Sequence, residues 1–174
     1  KGGILTPGQG GGRQGRSVSI NMSKMARVTT EAQRLMKRVY RVDVDFKNAF
    51  NAMNQAALWK IMESYNIPDV DLLKALYEHS TVRVAPNDRT CATIRFDTGV
   101  AQGSALSPLL FLLFMNALMC LLTEKGKIWK ISHGIEGLDQ FNNIGFVDDC
   151  SLFAQTTGGM QVLMNTVQEF EEWS

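Results

Sequence analysis

The sequence predicts an α+β fold, a small antiparallel sheet backed by helices, and three observations support that prediction. Helical and strand patterns follow one another in mixed order, without the regular alternation of a doubly wound sheet. Two apolar strand segments over residues 144–153 are joined by a tight polar turn, which is typical of an antiparallel hairpin. The chain has 174 residues, 45% hydrophobic and 20% charged, which suits one packed domain and excludes a disordered or low-complexity chain.

The first half contains a helix, a strand and two short helices. Apolar residues recur at helical spacing over 19–36, which predicts the first helix. Over 40–46 apolar and polar residues alternate, and this period of two predicts a half-buried strand. Short helices are predicted near 54–65, with Asn54 as the N-cap, and near 68–79.

The second half contains short strands on both sides of a long apolar helix. The helix spans about 105–123, and a final helix begins near 159. The most apolar run, Leu109 to Leu122, is too short for a usual membrane span, so we expect a buried core helix. Short strands are predicted near 80–85, 91–97, 128–133, 141–147 and 150–155.

Charge is distributed unevenly along the chain. Residues 1–41 contain nine Lys or Arg and one acid, whereas residues 42–174 contain nine Lys or Arg and sixteen acids. A basic front and an acidic remainder suggest a polyanionic partner beside a carboxylate-rich site; the alternative is a solvated basic helix. Three scattered cysteines argue against a disulfide scaffold or a zinc site and predict a reducing, intracellular setting.

Two groups of carboxylates are candidates for chemistry. Asp148 and Asp149 lie at the tip of the predicted hairpin, and Asp43 and Asp45 lie on one face of the strand at 40–46. If that strand pairs beside the hairpin, the carboxylates converge, and like charges held close are costly unless a cation neutralises them. Oxygen ligands favour Mg²⁺, and two such ions about 3.5–4 Å apart support in-line displacement at phosphorus. The alternatives are an ordinary Asp-Asp turn and a solvated acidic edge.

A glycine-bounded loop leads into the apolar helix over residues 99–111. Pro108 stands at an early helical position, where its missing N–H costs little. Gln102 offers both a donor and acceptors, and Gly103 lets a ligand approach the backbone closely.

Four segments, in chain order, resemble the sequence blocks of one enzyme family. Gln9 to Ser17 resembles the block Q-x-G-F-R-x-G-R-S that precedes the palm in non-LTR retrotransposon reverse transcriptases. Asp45 to Phe50 resembles the first catalytic-aspartate block, and residues 99–111 resemble the Gln-Gly block with its LSPLLF helix. Phe146 to Asp149 resembles the [YF]-x-D-D hairpin. The chain therefore resembles a reverse transcriptase, an RNA-directed DNA polymerase of the non-LTR retrotransposon type.

The resemblance implies a polymerase palm with part of the fingers. Residues 1–37 would be partial fingers, a glycine-rich basic loop and a helix, and residues 38–174 would be the palm, truncated before the thumb. Without the other finger strands and the thumb, we expect the isolated chain to polymerise weakly or not at all. None of the chain's departures from the usual residues of the blocks removes a metal ligand. The departures are Gly12, Asn51, Ala101, Phe146 and Val147.

The resemblance also implies the catalytic and metal-binding residues. Asp45, Asp148 and Asp149 would be the catalytic carboxylates, and with the Phe46 carbonyl they would ligate two Mg²⁺ ions, with Mn²⁺ as an alternative. Asp43 falls outside the matched position and would be a spectator. The ions would activate the primer 3′-hydroxyl and stabilise the departing pyrophosphate.

Further residues would bind the nucleotide. Phe50 falls where the family places a bulky gate against the nucleotide sugar, which would favour dNTPs over rNTPs; the alternative is a core Phe. Gln102 and Gly103, with Phe46, would line the pocket for the incoming nucleotide and template.

The implied partners are an RNA template, a DNA primer and dNTPs, with no membrane. A eukaryotic element would place the protein in the nucleus. Basic residues that would track the nucleic-acid backbone are Arg13, Arg16, Lys24 and Arg27.

Three other functions stay open at this stage. A group II intron-type reverse transcriptase is a close variant of the same function. An RNA-dependent RNA polymerase shares the metal chemistry, but Phe50, the Gln-Gly pair and the Phe-Val-Asp-Asp hairpin argue against it. An inactive nucleic-acid-binding remnant is disfavoured because all three expected carboxylates are present.

Overall fold

The computed structural model describes residues 4–11, 15, 17–84, 92–95, 98–101 and 103–174, with the backbone alone for 82–84 and 92–94. Helices and strands alternate irregularly in that part of the chain. They are α1 (Val18–Arg34), β1 (Tyr40–Val44), α2 (Ala49–Ala52), α3 (Gln55–Ser64), α4 (Val70–Glu78), β2 (Thr81–Val84), β3 (Ala92–Arg95), α5 (Ser107–Trp129), β4 (Asn143–Phe146), β5 (Asp149–Ala154) and α6 (Thr157–Trp173).

A three-stranded antiparallel sheet lies at the centre, in the order β1–β5–β4. β1 pairs with β5 from Tyr40 opposite Ala154 to Val44 opposite Cys150. β5 pairs with β4 as a hairpin, and β2 and β3 form a separate antiparallel pair. The small antiparallel sheet with its surrounding helices confirms the predicted α+β fold.

Helix α5 is the core element that the sequence predicted. Leu118 and Leu122 are fully buried, and Phe111 is 1% exposed. Full burial of each such side chain contributes about 1.5–3 kcal/mol to folding. By length and composition α5 is the one described helix that could cross a membrane, and 61% of its apolar window is buried within the fold, where α3, α6 and β4 pack around it.

Asn116, in the middle of α5, is fully buried because it binds the N-terminal segment. Its Oδ1 accepts a hydrogen bond from the N–H of Thr6 at 2.7 Å. Its Nδ2 donates to the carbonyl of Ile4 at 3.1 Å and to the hydroxyl of Tyr65 at 2.9 Å. A buried amide left without partners is costly, so these bonds fix the N-terminal segment against α5.

Polar caps set the starts of three helices. Asn54 caps α3, as predicted, because its Oδ1 accepts from the N–H of Ala57 at 3.1 Å. Ser17 caps α1 and Thr156 caps α6 in the same way. Each cap is worth about 1 kcal/mol of helix stability.

The strand predicted at 128–133 is wrong, because α5 continues to Trp129. The sequence suggested an early helix end at a polar stretch that contains Gly126. In the structure Gly126 is a packing position, since a Cβ there would clash with the side chain of Asn142. The helix ends where Lys130 adopts a positive φ of 52°.

Candidate active site

Asp45 and Asp149 lie at the same end of the central sheet. Val44, the last residue of β1, pairs with Cys150 of β5. Asp45 follows Val44 and Asp149 precedes Cys150, so both aspartates adjoin the last pair of the β1–β5 ladder on the same side. Both aspartates are exposed. β1 ends before the predicted residue 46 because the chain turns there toward the one-turn helix α2, which the sequence did not predict.

The turn of the β4–β5 hairpin carries Asp148. β4 ends at Phe146 and β5 begins at Asp149, so the turn consists of Val147 and Asp148. This confirms the predicted tight hairpin with carboxylates at its tip. Val147 has a φ of 60°, the sign that two-residue hairpin turns require at their first position. A β-branched residue there is strained by about 1–3 kcal/mol and persists only where its surroundings hold it.

A short glycine-rich segment, Gly8–Gly11, runs along β4 toward this turn, and we call it the glycine strap. The N–H of Gly10 donates to the carbonyl of Gly145 at 2.9 Å, and the N–H of Gly145 donates to the carbonyl of Gly8 at 3.1 Å. Gly145 cannot carry a side chain easily, because a Cβ would lie 2.7 Å from Met119 Sδ of α5. The strap and α5 therefore hold β4 from two sides.

Gln9 connects the glycine strap to the turn. Its Oε1 accepts hydrogen bonds from the N–H of Gly11 at 3.0 Å and from the N–H of Val147 at 3.3 Å. The side chain is fully buried, and among the described residues its Nε2 has no hydrogen-bond partner. No role was predicted for Gln9 from the sequence; its place at the start of the Q-x-G block is the signal that could have suggested one.

Helix α1 supports the same strand through a residue that the sequence analysis also missed. Asn21 is 5% exposed, and its Nδ2 donates to the carbonyl of Gly145 at 3.0 Å. A small cluster in which Val28 and Ala32 pack with Ile135 holds the rest of α1. The sequence indicated a helix with a basic face. Nothing in that pattern predicts that Asn21 is buried against β4.

Asp43 is engaged by neighbours on its own face of the sheet. Its Oδ1 accepts from the hydroxyl of Ser151 at 2.6 Å and from Nε of Arg41 at 2.9 Å. Burial alone would raise the pKa of Asp43, but these two hydrogen bonds and the charge of Arg41 outweigh it and lower the pKa below its ordinary value. Its partners tie Asp43 into the sheet, which agrees with a spectator role.

Phe46 and Phe50 follow Asp45 and are both half-buried against the core. The ring of Phe50 stacks on Phe111 of α5. The ring of Phe50 therefore packs on the core, as the alternative of a core Phe expects, and yet stays partly exposed.

The loop before α5 is attached to the segment that carries Phe50. The N–H of Val100 donates to the carbonyl of Phe50 at 3.0 Å. Gly103 is exposed and has a φ of 91°, and no atom of the described residues lies within 4 Å of where a Cβ would be added. Gln102 lies outside the described residues.

Two of the four predicted basic residues, Lys24 and Arg27, lie in the described part of the chain. Lys24 is half-buried in α1 beside a cavity of about 620 Å³ that Lys130 also lines. Arg27 is exposed on the same helix. Arg13 and Arg16 lie outside the described residues.

The donor set at the end of the sheet fits a divalent cation by its chemistry. Carboxylate and carbonyl oxygens are the ligands that Mg²⁺ prefers, and Asp45, Asp148 and Asp149 present them from one strand end and one turn. Within the described part of the chain, however, no three His, Cys, Asp or Glu side chains converge closely enough to hold a metal ion as they stand. The backbone thus brings the expected ligands to one place without forming a closed cage.

A small antiparallel sheet that presents aspartates from a strand end and a two-residue turn, with long helices behind it, defines a polymerase palm. The sequence profile of the family described as "Reverse transcriptase (RNA-dependent DNA polymerase)" matches residues 4–174. The chain belongs to the reverse transcriptase family, whose members generally use divalent metal ions.

Similar sequences come from insect retrotransposable elements. The chain is 29% identical over 146 residues to the retrovirus-related Pol polyprotein from type-2 retrotransposable element R2DM of Drosophila melanogaster, covering 82% of this chain and 13% of that protein. It is 26% identical over 153 residues to the corresponding polyprotein from type-1 retrotransposable element R2 of Nasonia vitripennis, covering 87% and 14%. The chain thus spans about one seventh of these relatives.

Solved structures of telomerase share the fold. Apo telomerase from Candida tropicalis, truncated of its C-terminal domain, has a TM-score of 0.67 at 12% identity, over 94% of this chain and 34% of that one. Telomerase from Candida albicans, in complex with a fragment of telomeric RNA, has a TM-score of 0.52 at 14% identity, over 87% and 27%. At these identities the likeness concerns the fold alone.

Proposed function

We propose that this chain is the catalytic palm of an RNA-directed DNA polymerase from a non-LTR retrotransposon. It would join dNTPs to the 3′-hydroxyl of a DNA primer along an RNA template. One observation carries the proposal: the last β1–β5 pair, Val44 with Cys150, brings Asp45 and Asp149 to the same end of the sheet, beside the two-residue turn that contains Asp148. Family membership and the likeness to retrotransposon polyproteins support the choice of substrates.

The reaction forms a bond between the primer 3′-oxygen and the α-phosphorus of the nucleotide. The bond from that phosphorus to pyrophosphate breaks, and the proton of the 3′-hydroxyl passes to solvent. Asp45, Asp148 and Asp149, with the carbonyl of Phe46, would hold the divalent ions. Bound Mg²⁺ supplies positive charge that stabilises both the attacking and the leaving oxygens. The protein contributes rigid placement of the carboxylates, through the sheet and the turn.

Other residues would select and orient the substrates. Phe50, fixed against α5, would stand as the gate that excludes a 2′-hydroxyl. Gly103, with Gln102 beside it in sequence, would admit the nucleotide and template closely. Arg13, Arg16, Lys24 and Arg27 would contact the phosphate backbone, which predicts binding that weakens as salt rises.

Primer extension on an RNA template tests the proposal, with the chain expressed together with its flanking segments. Wild type is compared with Asp148→Asn, in Mg²⁺, with dNTPs or rNTPs. Asp43→Asn is the matched control, because that carboxylate lies on the same sheet but is bound by Ser151 and Arg41. We expect extension with dNTPs in wild type and in the control, and none in Asp148→Asn.

Two outcomes would contradict the proposal. Extension with rNTPs as efficient as with dNTPs would assign the chain to the RNA polymerases. Binding of RNA without any extension would identify a nucleic-acid-binding remnant.

A further inference from the structure

We propose that Gln9 is a positioning residue, whose side-chain oxygen holds the Val147–Asp148 turn in the conformation that presents the catalytic aspartates. The inference rests on the proposed function, from which it takes only the role of Asp148 and Asp149. It adds a residue from the N-terminal segment, remote in sequence, to the apparatus of the site.

The turn needs such support because its first residue is unsuited to the conformation. Val147 is β-branched and has a φ of 60°, a region in which such a side chain is strained. Strain of this kind persists only where neighbouring groups hold it. The N–H of Val147 donates to Oε1 of Gln9 at 3.3 Å, so the support comes from outside the hairpin.

The acceptor itself is held firmly. The same Oε1 accepts from the N–H of Gly11 at 3.0 Å, so one buried oxygen joins the backbone of the glycine strap to that of the turn. The strap is in turn paired with β4, because both the N–H and the carbonyl of Gly145 are hydrogen-bonded to it. Gln9 therefore transmits a fixed backbone position to the residue that immediately precedes Asp148.

The nitrogen of the same amide offers a way to test positioning separately from stability. Nε2 of Gln9 is buried, and in the described part of the chain it has no hydrogen-bond partner. Burying an unpaired N–H group is unfavourable and offsets part of what the two accepted bonds contribute. A methionine of similar length would lose the acceptor but avoid this cost. We therefore expect Gln9→Met to fold and to lose the hydrogen bonds from Gly11 and Val147 together, while the backbone pairing of the strap with Gly145 remains.

Close packing gives a second way to disturb the turn from the strap. A Cβ on Gly11 would lie 2.9 Å from Cγ2 of Val147 and 3.0 Å from its backbone nitrogen. Gly11→Ala would thus push on the turn and also on Oε1 of Gln9, which the same Cβ would approach to 3.3 Å, without removing any polar side chain. Gly158→Ala is the matched control, because an added Cβ there meets nothing within 4 Å.

The decisive experiment compares wild type, Gln9→Met and Asn116→Leu, each expressed with its flanking segments. Asn116 fixes the same N-terminal segment through Ile4 and Thr6, and its other hydrogen bonds among the described residues go to Tyr65 and Cys120, outside the hairpin. Amide hydrogen exchange over residues 146–150 measures the order of the turn without nucleotide or metal. Primer extension then gives kcat and the KM for primer–template separately, at a temperature well below the melting temperature of every variant.

We expect Gln9→Met to accelerate exchange in the hairpin and to lower kcat about 10- to 100-fold, the range for residues that orient metal ligands, with the KM for primer–template unchanged. Asn116→Leu should lower the melting temperature and leave kcat at the wild-type value. If Gln9→Met does not fold, Gly11→Ala against Gly158→Ala provides the same two readouts.

The proposal is overturned if hairpin exchange and kcat in Gln9→Met stay within about twofold of wild type. It is equally overturned if Asn116→Leu loses as much kcat as Gln9→Met. Failure of the proposed function is a different result, in which Asp148→Asn has the same activity as wild type. The exchange measurement still decides the role of Gln9 in that case.

Discussion

The ring of Phe50 lies 4.3 Å from the ring of Phe111, centroid to centroid, with 18° between the two planes. Stacked aromatic pairs contribute about 0.5–1.5 kcal/mol beyond the area they bury. Phe111 belongs to the buried helix α5, so the core sets the position of Phe50, only five residues after Asp45. A side chain held in this way can act as a fixed wall, whereas a mobile one could be displaced by a bulkier sugar.

Phe50→Val should relax the preference for dNTPs. Removing the ring opens the space that a 2′-hydroxyl would need, and we expect the ratio of kcat/KM for dNTPs over rNTPs to fall about 10- to 100-fold. Phe111→Leu is the comparison, since it removes the stacking partner but keeps the Phe50 ring; it should lower stability and lower the ratio less than Phe50→Val does. An unchanged ratio in Phe50→Val would show that Phe50 is a core residue only.

Asp43→Asn should lower stability in a pH-dependent way. The folded-state pKa of Asp43 is lowered, so its contribution is fully present above the ordinary carboxyl pKa of about 3.9 and is lost as the pH falls through the lower folded value. The side chain is largely exposed, so we expect a loss of at most about 1 kcal/mol at pH 7. Urea unfolding of both proteins checks this; a difference that grows toward pH 2 would contradict it.

Cys150 should resist alkylation in the folded protein. It is 2% exposed, and burial, together with the nearby negative charge of Asp43, raises the pKa of its thiol to about 12. The thiolate is the reactive form, so iodoacetamide at pH 8 should modify the half-buried Cys120 first. Peptide mass spectrometry measures the two rates. Equal rates would show that the hairpin opens readily.

Gly145→Ala should destabilise the hairpin through Met119. The added methyl would lie 2.7 Å from Met119 Sδ, near the end of a flexible side chain that must shift, so we expect a cost near the lower end of the about 1–3 kcal/mol typical of overpacking. Combining it with Met119→Ala should cost less than the sum of the two single changes, because the clash is then absent. Denaturant unfolding of the four proteins measures the coupling. Strict additivity would mean that the two residues do not meet.

The 174-residue chain on its own should extend primers weakly or not at all. The chain spans only about one seventh of the retrotransposon polyproteins that it matches. Extension by the isolated chain, measured beside the version with flanking segments, checks this expectation. Robust synthesis by the isolated chain would contradict it.

Local patterns in the sequence predicted most elements of the fold. The alternation over 40–46, the Asn54 cap and the apolar run after Pro108 each have a short-range physical cause, and each element was confirmed. The strand predicted at 128–133 was wrong because the polar stretch with Gly126 suggested that the helix had already ended. In the structure α5 continues through Gly126, where the side chain of Asn142 packs closely.

The candidate site could be predicted only as separate pieces. The strand and hairpin patterns indicated four aspartates, and the family resemblance selected Asp45, Asp148 and Asp149 among them. The observed pairing brings Asp45 and Asp149 to the same end of the sheet. The contact between Gln9 and Val147 left no periodic signal, because it joins a loop to a turn through one side-chain oxygen. Positive φ at a valine is likewise a consequence of tertiary structure, since no local preference favours it.

The central strands come from opposite ends of the chain: Asp43 and Ser151 are 108 positions apart, and Gln9 and Val147 are 138 apart. Pairing between such distant segments is slow, because the entropy cost of closing a long loop comes before any stabilising contact forms. A nascent chain emerging from the ribosome therefore forms its helices first and acquires the sheet only when β5 follows. Any product that stops short of β5 would contain Asp45 without the partners proposed for it, so the proposed site can form only after β5 has been synthesised.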